Sequence, residues 1–276
     1  MSVTAGFALT ATKYMIESVN KRTGGTSAAR GGATSGTRLV RAFRPSDSGA
    51  DWDADAWPAT VPAAAQLLRD GLELPPGITI LVGENGSGKS TVVEMMAEAY
   101  GLNPQGGSIL APRARVRQSE PAAGRQLVVE REPGRHAWAY FLRADTMHSL
   151  YTYLEENPGR GGPERLHELS HGEGFLRILR TRVNQSGFYL MDEPDAPLSF
   201  VASLSLVALL HDLAREHSQV VVATHSPIVA AVPGAHILEL GEWGMRPARW
   251  ADLDVVASWR DFLEDPRLYL RYLLED

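Results

Sequence analysis

The sequence predicts an α/β fold, a mostly parallel sheet wound with crossover helices, and three observations predict it. The run Ile78-Thr79-Ile80-Leu81-Val82 reads as a buried strand, and it leads straight into a glycine-rich turn, Gly83–Ser90. Two more apolar runs, Phe188–Met191 and Val220–Ala223, also read as buried strands. Between them, Leu206, Leu209, Leu210 and Leu213 fall at i, i+3, i+4 and i+7, the spacing of one helical face.

In chain order, residues 1–36 are rich in Gly, Ser, Thr and Ala and read as a disordered or over-extended tail before a folded domain at 37–276. Arg38 to Arg44 reads as a first strand, and Thr91–Met96 as the start of a helix after the glycine-rich turn. Gln126–Glu130 and His136–Leu142, joined by Arg131-Glu132-Pro133-Gly134-Arg135, read as a β-hairpin. Leu176, Leu179 and Val183 mark a helix whose N-terminus lies near Ser170.

With 276 residues, 44% of them hydrophobic, the chain can bury one large core plus a small subdomain. The longest apolar-rich stretch, Leu198–Leu210, is interrupted by three serines and is shorter than the roughly 20 residues a bilayer requires, so no direct membrane insertion is expected. The absence of cysteine excludes disulfides, thiolate catalysis and cysteine-ligated zinc or iron–sulfur centres; without a secretory signal, the expected compartment is the cytoplasm. The formal net charge of −6 divides into +6 over residues 1–44 and −12 over the rest. An acidic body argues against a broad nucleic-acid face, although Arg113, Arg115 and Arg117 would line one side of an extended segment, either to meet phosphates or to protect a sheet edge.

The chemistry is concentrated in a few motifs. The chain has only three lysines, Lys13, Lys21 and Lys89, and the last completes Gly83-Glu84-Asn85-Gly86-Ser87-Gly88-Lys89-Ser90, a full Gly-x4-Gly-Lys-Ser phosphate-binding loop. Its glycines let successive amide N–H groups and the positive end of the next helix point at a polyphosphate. A compact ammonium fits between β- and γ-phosphates where a planar guanidinium does not, which explains one lysine in an arginine-rich chain. Ser90 is placed to reach Mg2+.

Phe188-Tyr189-Leu190-Met191-Asp192-Glu193 is a strand ending in two acids, a Walker B pattern: Asp192 would hold Mg2+ through water, and Glu193 would orient and deprotonate the attacking water. Ser170-His171-Gly172-Glu173 forms a Ser-x-x-Glu capping box, but a capping box has no use for a first-turn glycine, which costs about 0.5–1 kcal/mol relative to alanine. Exposed amides with a glycine there suit a second phosphate contact. His225, in Thr224-His225-Ser226-Pro227 at the end of the strand after Asp192, is placed to touch a γ-phosphate.

These four elements, in this order, resemble the ATP-binding-cassette ATPases, with Ser170–Glu173 where that class carries its signature. Ser-His-Gly-Glu, the run Asp192–Ser199, Phe141-Leu142-Arg143-Ala144-Asp145 and Asp265-Pro266-Arg267-Leu268-Tyr269-Leu270 are similar to a family of small stand-alone AAA-family ATPases distantly related to SMC and RecF proteins. The resemblance covers about residues 38–276. It implies a P-loop NTPase fold of the ABC-ATPase type, with an antiparallel β subdomain and a helical signature lobe at about 144–186. It also implies ATP and Mg2+ as cofactors, Gly83, Glu84, Asn85, Gly86, Ser87, Gly88, Lys89, Ser90 and Thr91 on the nucleotide, and Lys89, Glu193 and His225 as the catalytic set. The partner it implies is a second copy, joined head to tail by ATP and contributing Ser170, His171, Gly172 and Glu173.

Three features depart from the class. In the signature His171 and Glu173 replace the Gly and Gln of transporters, Ser199 stands where most members carry the D-loop Asp, and the Q-loop falls to Gln118 or to Arg143-Ala144-Asp145. Trp57 is the candidate for adenine stacking. The expected role is DNA repair, maintenance or defence, with nucleic acid as a partner; the alternatives are the energy subunit of a membrane transporter and a slow ATP-dependent switch. Only 80 residues separate Lys89 from Ser170, too few for an SMC rod.

Overall fold

The computed structural model describes residues 38–46, 53, 55–110, 123–133, 138–143 and 171–274, all within the unit Ser35–Asp276. Its strands are β1 (Val40–Pro45), β2 (Leu72–Glu73), β3 (Ile78–Val82), β4 (Gly107–Ser108), β5 (Leu127–Arg131), β6 (Trp138–Arg143), β7 (Gly187–Asp192), β8 (Gln219–Thr224), β9 (His236–Gly241) and β10 (Gly244–Pro247). The helices are α1 (Pro62–Asp70), α2 (Lys89–Tyr100), α3 (His171–Arg182), α4 (Phe200–Arg215), α5 (Asp254–Glu264) and α6 (Arg267–Leu274). The tail at 1–36, Arg113–Arg117, Gln118, Ser170 and most of the expected lobe lie outside the described residues.

The central sheet runs β10-β9-β3-β8-β7-β6-β4. Its five inner strands are parallel, and β10 and β4 close the edges antiparallel. Every residue of β3, β7 and β8 is buried, as a parallel sheet covered on both faces requires. Alternate side chains enter opposite cores. Leu81, Leu190 and Val221 pack with Leu67 of α1 and Val92 and Met96 of α2, whereas Ile80, Tyr189 and Val222 pack with Leu179 of α3, Leu210 of α4 and Val256 of α5.

A second, antiparallel sheet has the order β2-β1-β5. The side chain of Gln219, 1% exposed at the start of β8, joins the two sheets. Its Oε1 accepts from the amides of Leu39 and Val40, both at 2.8 Å, and its Nε2 donates to the carbonyls of Val40 at 3.0 Å and Pro75 at 2.9 Å. An amide has two donors and two acceptor lone pairs, so this buried group is fully satisfied.

The expected hairpin of Gln126–Glu130 with His136–Leu142 is not formed. Both segments contain strands, but β5 pairs with β1 in the small sheet, and β6 lies between β7 and β4 in the central one. The reason is burial: the four inner residues of β6 are all buried and need a covered sheet, whereas β5 buries Leu127 and leaves most of its length open. No described helix is long and apolar enough to cross a membrane.

Candidate nucleotide site

The glycine-rich loop joins β3 to α2, so its amides and the N-terminus of α2 share one concavity. Gly88 caps α2 at φ +93°, a left-handed conformation that disfavours side chains, and a Cβ there would stand 2.4 Å from Val61 Cγ1. The segment before α1 is thus pressed against the loop, and it carries Trp57, which is 46% exposed.

Lys89 is 3% exposed, and its ammonium donates to the carbonyls of Gly83 at 2.9 Å and Glu84 at 2.8 Å. Burial pushes its pKa below the ordinary lysine value, while the nearby carboxylates of Glu193, Asp192 and Asp195 oppose that shift. Ser87 Oγ is buried within the same loop without a hydrogen-bond partner among the described residues. At the second residue of α2, the Ser90 hydroxyl donates to Asp192 Oδ1 at 3.0 Å.

β8 lies between β3 and β7, so the end of β8 stands between the loop and the two acids. There His225 Nε2 meets Glu193 Oε1 at 2.5 Å, with each side chain about one-third exposed. Glu193 adopts φ +49°, a left-handed conformation that costs a non-glycine residue on the order of 1–3 kcal/mol. Its amide donates to Ala223 O at 2.9 Å, and its carbonyl accepts from Ala196 N at 3.1 Å, so the turn is held from both sides. The carboxyl of Asp195 accepts from Thr224 Oγ1 at 2.6 Å; burial pushes its pKa above the usual carboxylate value, and the Thr224 bond works against that rise.

The structure therefore gathers Lys89, Ser90, Asp192, Glu193 and His225 at the same ends of β3, β7 and β8. Ser90 and Asp192 supply two adjacent hard oxygens, which suit Mg2+ when phosphate and water complete its octahedron. Ser199 caps α4, its Oγ accepting from Ala202 N at 3.4 Å. Gly172 lies in the first turn of α3, close to Pro197, Leu198 and Ala202.

Sequence reasoning gave no role to Asp195 or to the ion pair of Arg143 with Glu94, which closes at 2.6 Å. A signal for Glu94 was available, because it follows Ser90 by one helical turn.

Residues 71–196 match the family model described as ABC transporter. A ribose import ATP-binding protein of Burkholderia cenocepacia is 29% identical over 192 residues, covering 60% of this chain and 37% of its own length. A ribose import ATP-binding protein of Burkholderia pseudomallei is 28% identical with the same coverage. The chain thus spans little more than a third of the curated relatives it matches. Among solved structures, the SMC head domain from Thermotoga maritima is 18% identical at a TM-score of 0.40, with 65% of this chain and 93% of that one covered. The fold is the α/β P-loop NTPase fold of the ABC-ATPase type, with a mixed sheet.

Proposed function

We propose that this ATPase domain of the ATP-binding-cassette type binds Mg2+ and ATP at Gly83–Thr91, hydrolyses ATP with Glu193 as base, and powers a partner in the membrane. The observation that carries the chemistry is the arrangement of Lys89, Ser90–Asp192 and Glu193–His225 around one loop. Loop amides and Lys89 hold the β- and γ-phosphates, with the ammonium trading its bonds to Gly83 O and Glu84 O for phosphate oxygens. Mg2+ would offset phosphate charge, held by Ser90 and Asp192. Glu193 takes the proton of the attacking water, and His225 orients Glu193 and contacts the γ-phosphate. Turnover measured by phosphate release tests this reading; a wild-type protein with no Mg2+-dependent ATP hydrolysis would remove it.

The membrane partner is supported by the described activity of the relatives, ribose import. On this reading the chain works at the cytoplasmic face, bound to a permease rather than inserted. A second reading, ATP-driven DNA repair, maintenance or defence in the SMC- and RecF-like manner, is favoured by His171 and Glu173 in the signature. ATPase rates with duplex DNA, DNA ends and RNA, set against rates with permease-containing membranes, choose between them.

The working form is an ATP-bridged head-to-tail dimer in which Ser170–Glu173 of one copy meets nucleotide on the other. Gly172 supports it: an added Cβ there would make only ordinary contacts, at 3.5 Å to Ala202 Cβ and 3.6 Å to Leu198 Cδ2. Packing among the described residues does not require this glycine, whereas close approach by a ligand would. Gel filtration of Glu193→Gln with saturating ATP tests the dimer, and a monomer under those conditions rejects it.

A further inference from the structure

Four side chains make a polar square behind the phosphate loop. Ser90 and Glu94 stand one turn apart on α2. Asp192 ends β7, and Arg143, its register partner, ends β6 on a strand about 4.8 Å away. Both face α2, because Leu190 and Phe141, two residues earlier on the same strands, pack in the α2 core. Ser90 Oγ donates to Asp192 Oδ1 at 3.0 Å, and Arg143 Nη1 donates to Glu94 Oε1 at 2.6 Å and to Pro104 O at 3.0 Å. The Arg143 and Glu94 side chains are only 15% and 28% exposed, so solvent screens them weakly.

We infer that Glu94 and Arg143 are positioning residues that set the Mg2+ requirement of the nucleotide site through paired charges of opposite sign. The inference rests on Mg2+ and ATP binding at Ser90 and Asp192. Removing the Glu94 carboxylate raises the net positive charge beside a divalent cation by one; removing the Arg143 guanidinium lowers it by one. The two losses therefore move Mg2+ affinity in opposite directions. A purely structural clamp between α2 and β6 behaves differently, because loosening it from either side weakens the site.

The test measures the affinity of a fluorescent ATP analogue for the full chain across free Mg2+ concentrations and in EDTA, with apo thermal unfolding alongside. Glu94→Gln should need about three- to tenfold more Mg2+ and Arg143→Gln correspondingly less, with the double variant within about twofold of wild type. Affinity in EDTA, where the ligand is the polyanion without its cation, should move in the opposite sense for each Gln variant. The charge-preserving variants Glu94→Asp and Arg143→Lys should stay within about twofold of wild type, and they carry the test if a Gln variant does not fold. Shifts in the same direction, shifts below about twofold for both Gln variants, or charge-preserving variants that shift as far as the Gln ones would overturn the inference alone. Wild type that binds no nucleotide at any Mg2+ concentration overturns the proposed function with it.

Discussion

The Glu193 carboxylate and the His225 imidazole meet at 2.5 Å, each on the residue that follows a buried strand, with the two strands side by side in the sheet. A base so placed is oriented by a neighbour and held by a strained turn. Glu193→Gln should therefore keep ATP binding while hydrolysis falls on the order of a hundredfold or more. Phosphate release at saturating ATP checks it; near-wild-type turnover would remove Glu193 as base.

Lys89→Ala should weaken ATP binding by about ten- to a hundredfold, the worth of a charge-assisted hydrogen bond of about 1.5–3 kcal/mol. Titration with a fluorescent nucleotide measures it, and unchanged affinity would refute the role given to the ammonium.

Asp195 gives a pH signature. Its folded pKa lies above the ordinary aspartate value because burial disfavours the charged form. The stability tied to its protonation is thus fully present below the unfolded pKa of about 3.9 and lost as pH rises through the folded value. Asp195→Asn can still accept from Thr224 and should melt higher than wild type at neutral pH, with the difference vanishing toward pH 3 to 4. A melting difference independent of pH would contradict this origin.

Gly172→Ala should raise the apo melting temperature, since alanine is favoured over glycine in a helix by about 0.5–1 kcal/mol and the described residues leave room for it. The same change should weaken ATP-dependent dimerisation of the Glu193→Gln form. Sedimentation with ATP reads the second effect, and an unaltered dimer would leave Gly172 without a ligand-facing role.

Gln219→Ala should destabilise the protein by about 3–5 kcal/mol, because it strands two amides and two carbonyls that a buried side chain now satisfies. Denaturant unfolding measures the loss; a cost below about 1 kcal/mol would mean that water replaces the amide.

The sequence by itself determined the strands β3, β7 and β8, the helix α4 and the loop between Gly83 and Ser90, because each carries a local signal: an apolar run, a 3.6-residue period or a spacing of glycines. It also singled out Lys89, Ser90, Asp192, Glu193 and His225 as the groups proposed to carry the chemistry, through motifs whose order survives any detail of packing. Tertiary structure alone decided that β5 and β6 enter different sheets, since pairing depends on which faces the rest of the chain covers. It alone brought Glu94 beside Arg143 and Gln219 beneath Leu39, contacts between residues 49 and 180 positions apart in the chain. Distances of that kind arise from the sum of all the packing and leave no periodic trace in the order of residues.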